Sequence, residues 1–141
     1  MVFTKNIDKT AEFFYKALDL RSGYRGEYSY PGRCLYSEDK LLIHLVAKPK
    51  FGQKMQVEFS MNECSDSKGP VNHVAIEGDN YIRLTTRLDK YRINYSERKV
   101  TLLRQHQVLI YGPYNLVVEV IFTEDKSPMK SAPNVLINES R

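Results

Sequence analysis

His73 and Glu119 each stand in a run of otherwise apolar residues, the first in Val71-Asn72-His73-Val74-Ala75-Ile76 and the second in Val117-Val118-Glu119-Val120-Ile121-Phe122. An imidazole or a carboxylate on such a run is costly to bury unless a partner, a proton or a metal compensates it. His44, in Leu42-Ile43-His44-Leu45, is a third residue of the same kind. Residues two apart share a face of a strand. On that rule His44 lies with Leu42 and Val46, His73 with Val71 and Ala75, and Glu119 with Val117 and Ile121, faces apolar enough to be enclosed. Two imidazoles and a carboxylate suit a divalent ion such as zinc, nickel, iron or manganese, and three protein ligands with an open position are what metal catalysis requires. Each residue also has a second reading. His44 or His73 can be a hydrogen-bonded wall residue, and Glu119 can form a buried ion pair with Arg104, Arg33 or His73. His106, at the start of a strand, reads as a rim residue.

The elements that must position these residues follow from periodicity. Ala11, Phe14, Tyr15 and Leu18 fall at the spacing of one helical face, with Asp8 as the expected N-cap. Alternating segments at 21–28, 33–37 and 41–46 read as three strands, separated by Pro31-Gly32 and Glu38-Asp39. The pattern then restarts. Residues 71–76 read as a strand, and Asp79 is expected to cap a helix carrying Tyr81, Leu84, Leu88 and Tyr91 on one face. Strands are expected at 93–100, 107–111 and 116–122, the last two joined by Gly112-Pro113-Tyr114-Asn115. With a short first strand at 2–4, the order strand, helix, three strands occurs twice. Half-modules of about 1–47 and 71–122 make one domain over 1–122, with a connector at 48–70 holding one short strand near 55–59 and a C-terminal tail at 123–141. Gln107, Leu109 and Tyr111 share a face of the penultimate strand, so Gln107 and Tyr111 are candidates to orient a substrate by hydrogen bonds.

At 141 residues, 42% hydrophobic and 27% charged, the chain has the composition of one globular domain. No apolar run is long enough to span a membrane, and the first residues lack a secretory signal, so a cytoplasmic protein with no membrane partner is expected. Cys34 and Cys64 have no CxxC spacing and read as free thiols. The net charge of +4 is spread along the chain. Arg83, Arg87 and Lys90 share a helical stripe, but without interleaved aromatics or a known motif this reads as a solvated face, and no nucleic-acid partner is expected.

The twice-repeated βαβββ order, with FFYKALDL on the first helix, HVAI opening the second half and GPYNLVVEV closing it, resembles the vicinal oxygen chelate superfamily, which includes glyoxalase I, extradiol dioxygenases and bleomycin-binding proteins. FFYKALDL looks like the family's FY…LGL helix end with Asp19 where glycine is usual. GPYNLVVEV looks like its closing element with Gly112 for an aspartate and Asn115 for a glycine. The resemblance implies an α+β fold of two βαβββ modules whose curved mixed sheets surround a cupped cleft. It also implies metal ligands at His44, His73 and Glu119, the last doubling as a catalytic base, and it places a further ligand upstream of Met1. A metal-dependent lyase, isomerase or dioxygenase of glyoxalase type acting on a small molecule is the expectation, as a homodimer. The alternative is a non-catalytic drug-binding protein with a degenerate metal site.

Overall fold

A computed structural model of the protein describes residues 1–48 and 72–123. The expected strand near 55–59, Cys64, Val71 and most of the expected tail lie outside the described residues. The element order is β1 (Val2–Thr4), α1 (Ile7–Leu18), β2 (Arg21–Gly23), β3 (Gly32–Ser37), β4 (Lys40–Ala47), then β5 (Val74–Glu77), α2 (Tyr81–Lys90), β6 (Tyr95–Val100), β7 (Gln105–Tyr111) and β8 (Val117–Thr123). The strands form two four-stranded sheets with orders β1-β4-β3-β2 and β5-β8-β7-β6. Each opens with a parallel pair, β1 with β4 and β5 with β8, and the remaining pairs are antiparallel. The α+β fold of two like βαβββ modules expected from the sequence is therefore present.

The cap of α1 lies two residues before the expected one and that of α2 one residue after it. Asn6 is extended and its Oδ1 accepts from the Lys9 N–H at 2.9 Å, while Asn80 does the same for the Arg83 N–H at 2.8 Å. Asp8 and Asp79 are not the caps. Asp8 instead lies in the first turn of α1 and pairs with Arg33 at 2.5 Å. Below Asn6, Thr4 Oγ1 and Thr10 Oγ1 share a 2.6 Å hydrogen bond, and Thr10 Oγ1 donates to the Asn6 carbonyl, which ties the β1–α1 corner. Asn6→Ala is expected to cost about 1 kcal/mol of stability in urea unfolding. Asp8→Ala should cost at most half of that, because its exposed ion pair is worth little.

The buried face of α1 is Thr10, Ala11, Phe13, Phe14 and Ala17. Tyr15 lies off this face, 42% exposed, with the Arg87 guanidinium 5.5 Å from its ring centre. Asp19 ends α1 in the left-handed region at φ 58°, the conformation that explains why a glycine suits this place. Its carboxylate accepts from Arg87 Nη2 at 3.0 Å. Arg87 also donates to the carbonyls of Tyr15 and Lys16, so α2 clasps the end of α1 across the two modules. Phe13 closes over Gly112, where a Cβ would stand 2.8 Å from its ring. Phe14, Leu35 and Leu45 of the first module and Leu88, Val108, Ile110, Val118, Val120 and Phe122 of the second belong to one core.

Strand alternation assigns the other faces. The residues of β8 that join the core are Val118, Val120 and Phe122, so Val117, Glu119 and Ile121 look the opposite way. In register with them on β7 are Tyr111, Leu109 and Gln107, and beyond Gln107 on β6 stands Arg98. Strands β2 and β5 are shorter than expected. β5 begins at Val74, which leaves His73 just ahead of the strand and able to turn its ring across the sheet.

Candidate functional site

Glu119 lies near the middle of β8, in register with Ala75 of β5 and Leu109 of β7, and is 5% exposed. Its Oε2 meets His73 Nε2 at 2.8 Å. Its Oε1 is buried with no hydrogen-bond partner among the described residues, and Arg98 Nη2, at 3.9 Å, is too distant to supply one. A buried carboxylate oxygen left unpaired is costly and uncommon, so this atom calls for an occupant. The His73 ring is constrained too. Nε2 faces Glu119, and Nδ1 lies 3.2 Å from Asn72 Oδ1. With Nε2 turned to the carboxylate, His73 and Glu119 are placed to hold one cation together. A histidine whose second nitrogen is held by a polar side chain is a common arrangement of metal ligands.

The faces around these residues are less enclosed than their apolar neighbours suggest. His73 keeps 39% of its side chain exposed, and Ala75 beside it is exposed. The reason is that, among the described residues, no helix covers this sheet face; both helices pack on the other side, against the core. His44 is half-buried on β4, in register with Cys34 of β3. Leu42 next to it stands opposite no residue of β3, because the register slips between Leu35 and Tyr36. Thus the structure brings His73 and Glu119 together, whereas His44 belongs to the other sheet. Among the described residues no three His, Cys, Asp or Glu side chains are grouped to hold a metal.

Gln107 and Tyr111 occupy the face that carries Glu119. Gln107 is buried, its Oε1 accepting from Arg98 Nε at 2.9 Å and Nη2 at 2.5 Å, and its Nε2 donating to Gln105 Oε1 at 3.3 Å. Tyr111 is half exposed, and its hydroxyl shares a 2.8 Å hydrogen bond with Ser96 Oγ. Arg98 is the residue that sequence reasoning left among the scattered positive charges. The alternation of Ser96, Arg98 and Val100 along β6, opposite Leu109, Gln107 and Gln105, is the signal that places it here.

His106 is a correction. It is buried rather than at the rim, on the core side of β7, with Nε2 2.6 Å from Glu97 Oε2 and its ring 4.8 Å from that of Tyr81. The Tyr81 hydroxyl donates to the same Glu97 oxygen at 2.8 Å. Burial, and then the hydrogen bond to Glu97, push the Tyr81 phenol well above its ordinary range. The folded protein therefore holds this proton where the unfolded chain releases it. The contribution to stability is complete below pH of about 10 and declines as pH rises beyond it. Tyr81→Phe is expected to lose about 1 kcal/mol at neutral pH and to show a shallower fall in stability above pH of about 10, read by urea unfolding across pH.

No family model matches the chain. No curated protein matches it in sequence. Solved structures do match. A glyoxylase/bleomycin resistance protein/dioxygenase domain from Frankia sp. EAN1pec is 12% identical, with a TM-score of 0.62 over 86% of this chain and 91% of that one. A fosfomycin resistance protein, FosX, from Listeria monocytogenes, crystallised as a mutant with Mn(II) and 1S,2S-dihydroxypropylphosphonic acid, is 12% identical, with a TM-score of 0.58 over 86% and 87%. A protein from the mobile metagenome of V. Pseudocholerae is 13% identical, with a TM-score of 0.61 over 86% and 88%. The chain thus shares the fold of these structures, the fold that the resemblance read from the sequence implies. No helix among the described residues is long and apolar enough to cross a membrane.

Proposed function

We propose that the open face of the second sheet binds a small molecule beside a divalent ion, zinc, nickel, iron or manganese, with His73 and Glu119 as two of its ligands. The buried, unpaired Oε1 of Glu119 next to an imidazole nitrogen carries this reading, since a cation satisfies both groups at once. The Mn(II) bound by the Listeria protein of the same fold adds support. Such an ion, when bound, supplies Lewis acidity toward adjacent substrate oxygens. The chain's own residues do the rest. Gln107 and Tyr111 orient the ligand by hydrogen bonds, and Glu119 is either a fixed ligand or, when displaced, a base that takes a substrate proton. The chemistry is then that of a lyase, isomerase or dioxygenase of glyoxalase type.

His44 enters this reading through a homodimer, in which β4 of one copy lies opposite β8 of the other. Its support is that His44 is half-buried on a separate sheet, on a strand where Leu41 and Leu42 remain 39% and 41% exposed. A sedimentation mass of two chains is expected, and a mass of one chain removes His44 from the site. A cytoplasmic location fits the free thiol of Cys34.

The second reading, a drug-binding protein with a degenerate metal site, is favoured by the convergence of only two donors among the described residues. Thermal unfolding with and without divalent ions separates the two. A ligand at a hundred times its dissociation constant stabilises by about 2.7 kcal/mol. Stabilisation by manganese or zinc, lost in His73→Ala, is the expected result. Stabilisation by organic ligands alone, indifferent to both ions, selects the drug-binding protein.

A further inference from the structure

We infer that the protein carries a second ligand site on the helix side of the molecule, away from His73 and Glu119, where Arg21 and Arg83 hold a small phosphate monoester whose uncharged body lies along α2. The site is built on Asp19, which stands where the related pattern has glycine. Its carboxylate gathers three arginines from the two modules. Arg87 Nη2 donates to Oδ1 at 3.0 Å, whereas Arg21 Nη2 and Arg83 Nη2 stop 3.9 and 3.8 Å from Oδ1 and Oδ2, too far for hydrogen bonds. Arg87 is fixed in place. Its Nε and Nη2 also donate to the Lys16 and Tyr15 carbonyls, and its guanidinium centre lies 5.5 and 5.4 Å from the Tyr15 and Tyr91 ring centres. Arg21 and Arg83 differ from it. Their side chains are 74% and 70% exposed, and among the described residues Asp19 is the one charged partner of each.

Three guanidinium charges around one carboxylate leave a surplus of positive charge, and two of the three forks keep their N–H groups turned to solvent. A phosphate monoester carries about −1.5 to −2 at neutral pH and three acceptor oxygens, so it answers both the charge and the donors. Beside these arginines an open cleft of about 590 Å³ runs along α2, lined by Ile82, Thr86 and Lys90 as well as by Arg83 and Arg87. That volume lies in the range of roughly 300–1,000 Å³ that small ligands occupy. Asp79 and Asn80 line it too, so the body that fits is uncharged and hydroxylated rather than a second anion. A nucleic-acid strand fits less well. Arg87 lies over the rings of both Tyr15 and Tyr91, and Lys90 Nζ lies 5.3 Å from the centre of the latter, which leaves no ring face for bases to stack on. The stripe of Arg83, Arg87 and Lys90 reads as a solvated face in the sequence because its partners, Arg21 and Asp19, come from the other module.

The test titrates glycerol 3-phosphate, and separately glycerol, into the full chain at fixed ionic strength, with binding followed by amide NMR shifts. Glycerol 3-phosphate is expected to bind at least tenfold more tightly than glycerol and to shift the amides of α2 and β2. Arg21→Gln and Arg83→Gln combined should lower its affinity at least tenfold. Arg83→Lys should fall between, because it keeps the charge and loses the fork. Both arginines are mostly exposed, so unchanged thermal midpoints are expected and exclude loss of fold as the cause; Arg83→Gln alone, expected to weaken binding at least threefold, carries the test if the combined variant unfolds. Affinity within twofold of the native value in the folded variants overturns the proposal, as does equal binding of glycerol, or shifts confined to β7 and β8. Tighter binding of duplex DNA or of a phosphoserine peptide through the same residues overturns the assignment to a small ligand. His73→Ala is expected to leave the affinity for glycerol 3-phosphate within twofold, so this site and the metal site stand or fall separately.

Discussion

Glu119→Gln is expected to lower the affinity for manganese or zinc by on the order of a hundredfold or more, with little change in the unfolding midpoint of the metal-free protein. The substitution keeps shape and removes charge, and a neutral amide oxygen is a far poorer partner for a hard or borderline divalent ion than a carboxylate. It also removes a buried negative charge, which offsets the loss of the contact with His73 in the metal-free protein. The contrast is diagnostic. A structural ion pair with His73 predicts the opposite pattern, a metal-indifferent protein that loses stability when one partner is neutralised. Isothermal titration with manganese, alongside urea unfolding of the apo protein, reads both quantities on one preparation.

The largest effect on stability is expected at Phe122. Its side chain is 1% exposed, meets Tyr81 edge-on at 5.7 Å and 87°, and presses against Gly78, where any Cβ would collide with the ring. Phe122→Ala removes a full aromatic from the place where β8, α2 and the turn after β5 converge. A loss of about 3–5 kcal/mol follows from the cavity left behind. That is a large share of the roughly 5–15 kcal/mol that holds a domain of this kind together. Because Phe122 is three residues from Glu119 and on the opposite face of β8, metal affinity of the folded fraction should be unaffected. Urea unfolding that shows a loss below about 1 kcal/mol would mean that this side of the sheet is not the core.

Much of the fold was legible in the sequence because its hydrophobic periods are strong. Phe14 on α1, Leu88 on α2 and the alternation through β8 each locate a buried face without help from the rest of the chain. What periodicity could not resolve was the choice among neighbouring polar residues. Asn6 and Asp8, or Asn80 and Asp79, are equally capable of capping a helix, and only the backbone angle at the first residue decides. The same limit applies to α1, where Tyr15 fits the helical spacing but is drawn off the core by Arg87 from the other module. For the site, the meeting of His73 with Glu119 was among the readings open to the sequence, since a parallel β5–β8 pair brings the residue just ahead of β5 beside the middle of β8. The burial of His106 was not. Its partner Glu97 and its ring neighbour Tyr81 come from β6 and α2, and nothing local to β7 announces either. Asp19 and Asn115 depart from glycines of the related pattern, yet both adopt positive φ, 58° and 60°, which short polar side chains tolerate. Those departures leave the turns intact.

The most direct measurement is the metal content of the full chain purified without chelator, by elemental mass spectrometry. A divalent ion at close to one per chain is expected, falling to a small residue in His73→Ala and in Glu119→Gln. Substoichiometric metal in the native protein, unchanged by either substitution, would contradict a metal site at the His73–Glu119 pair.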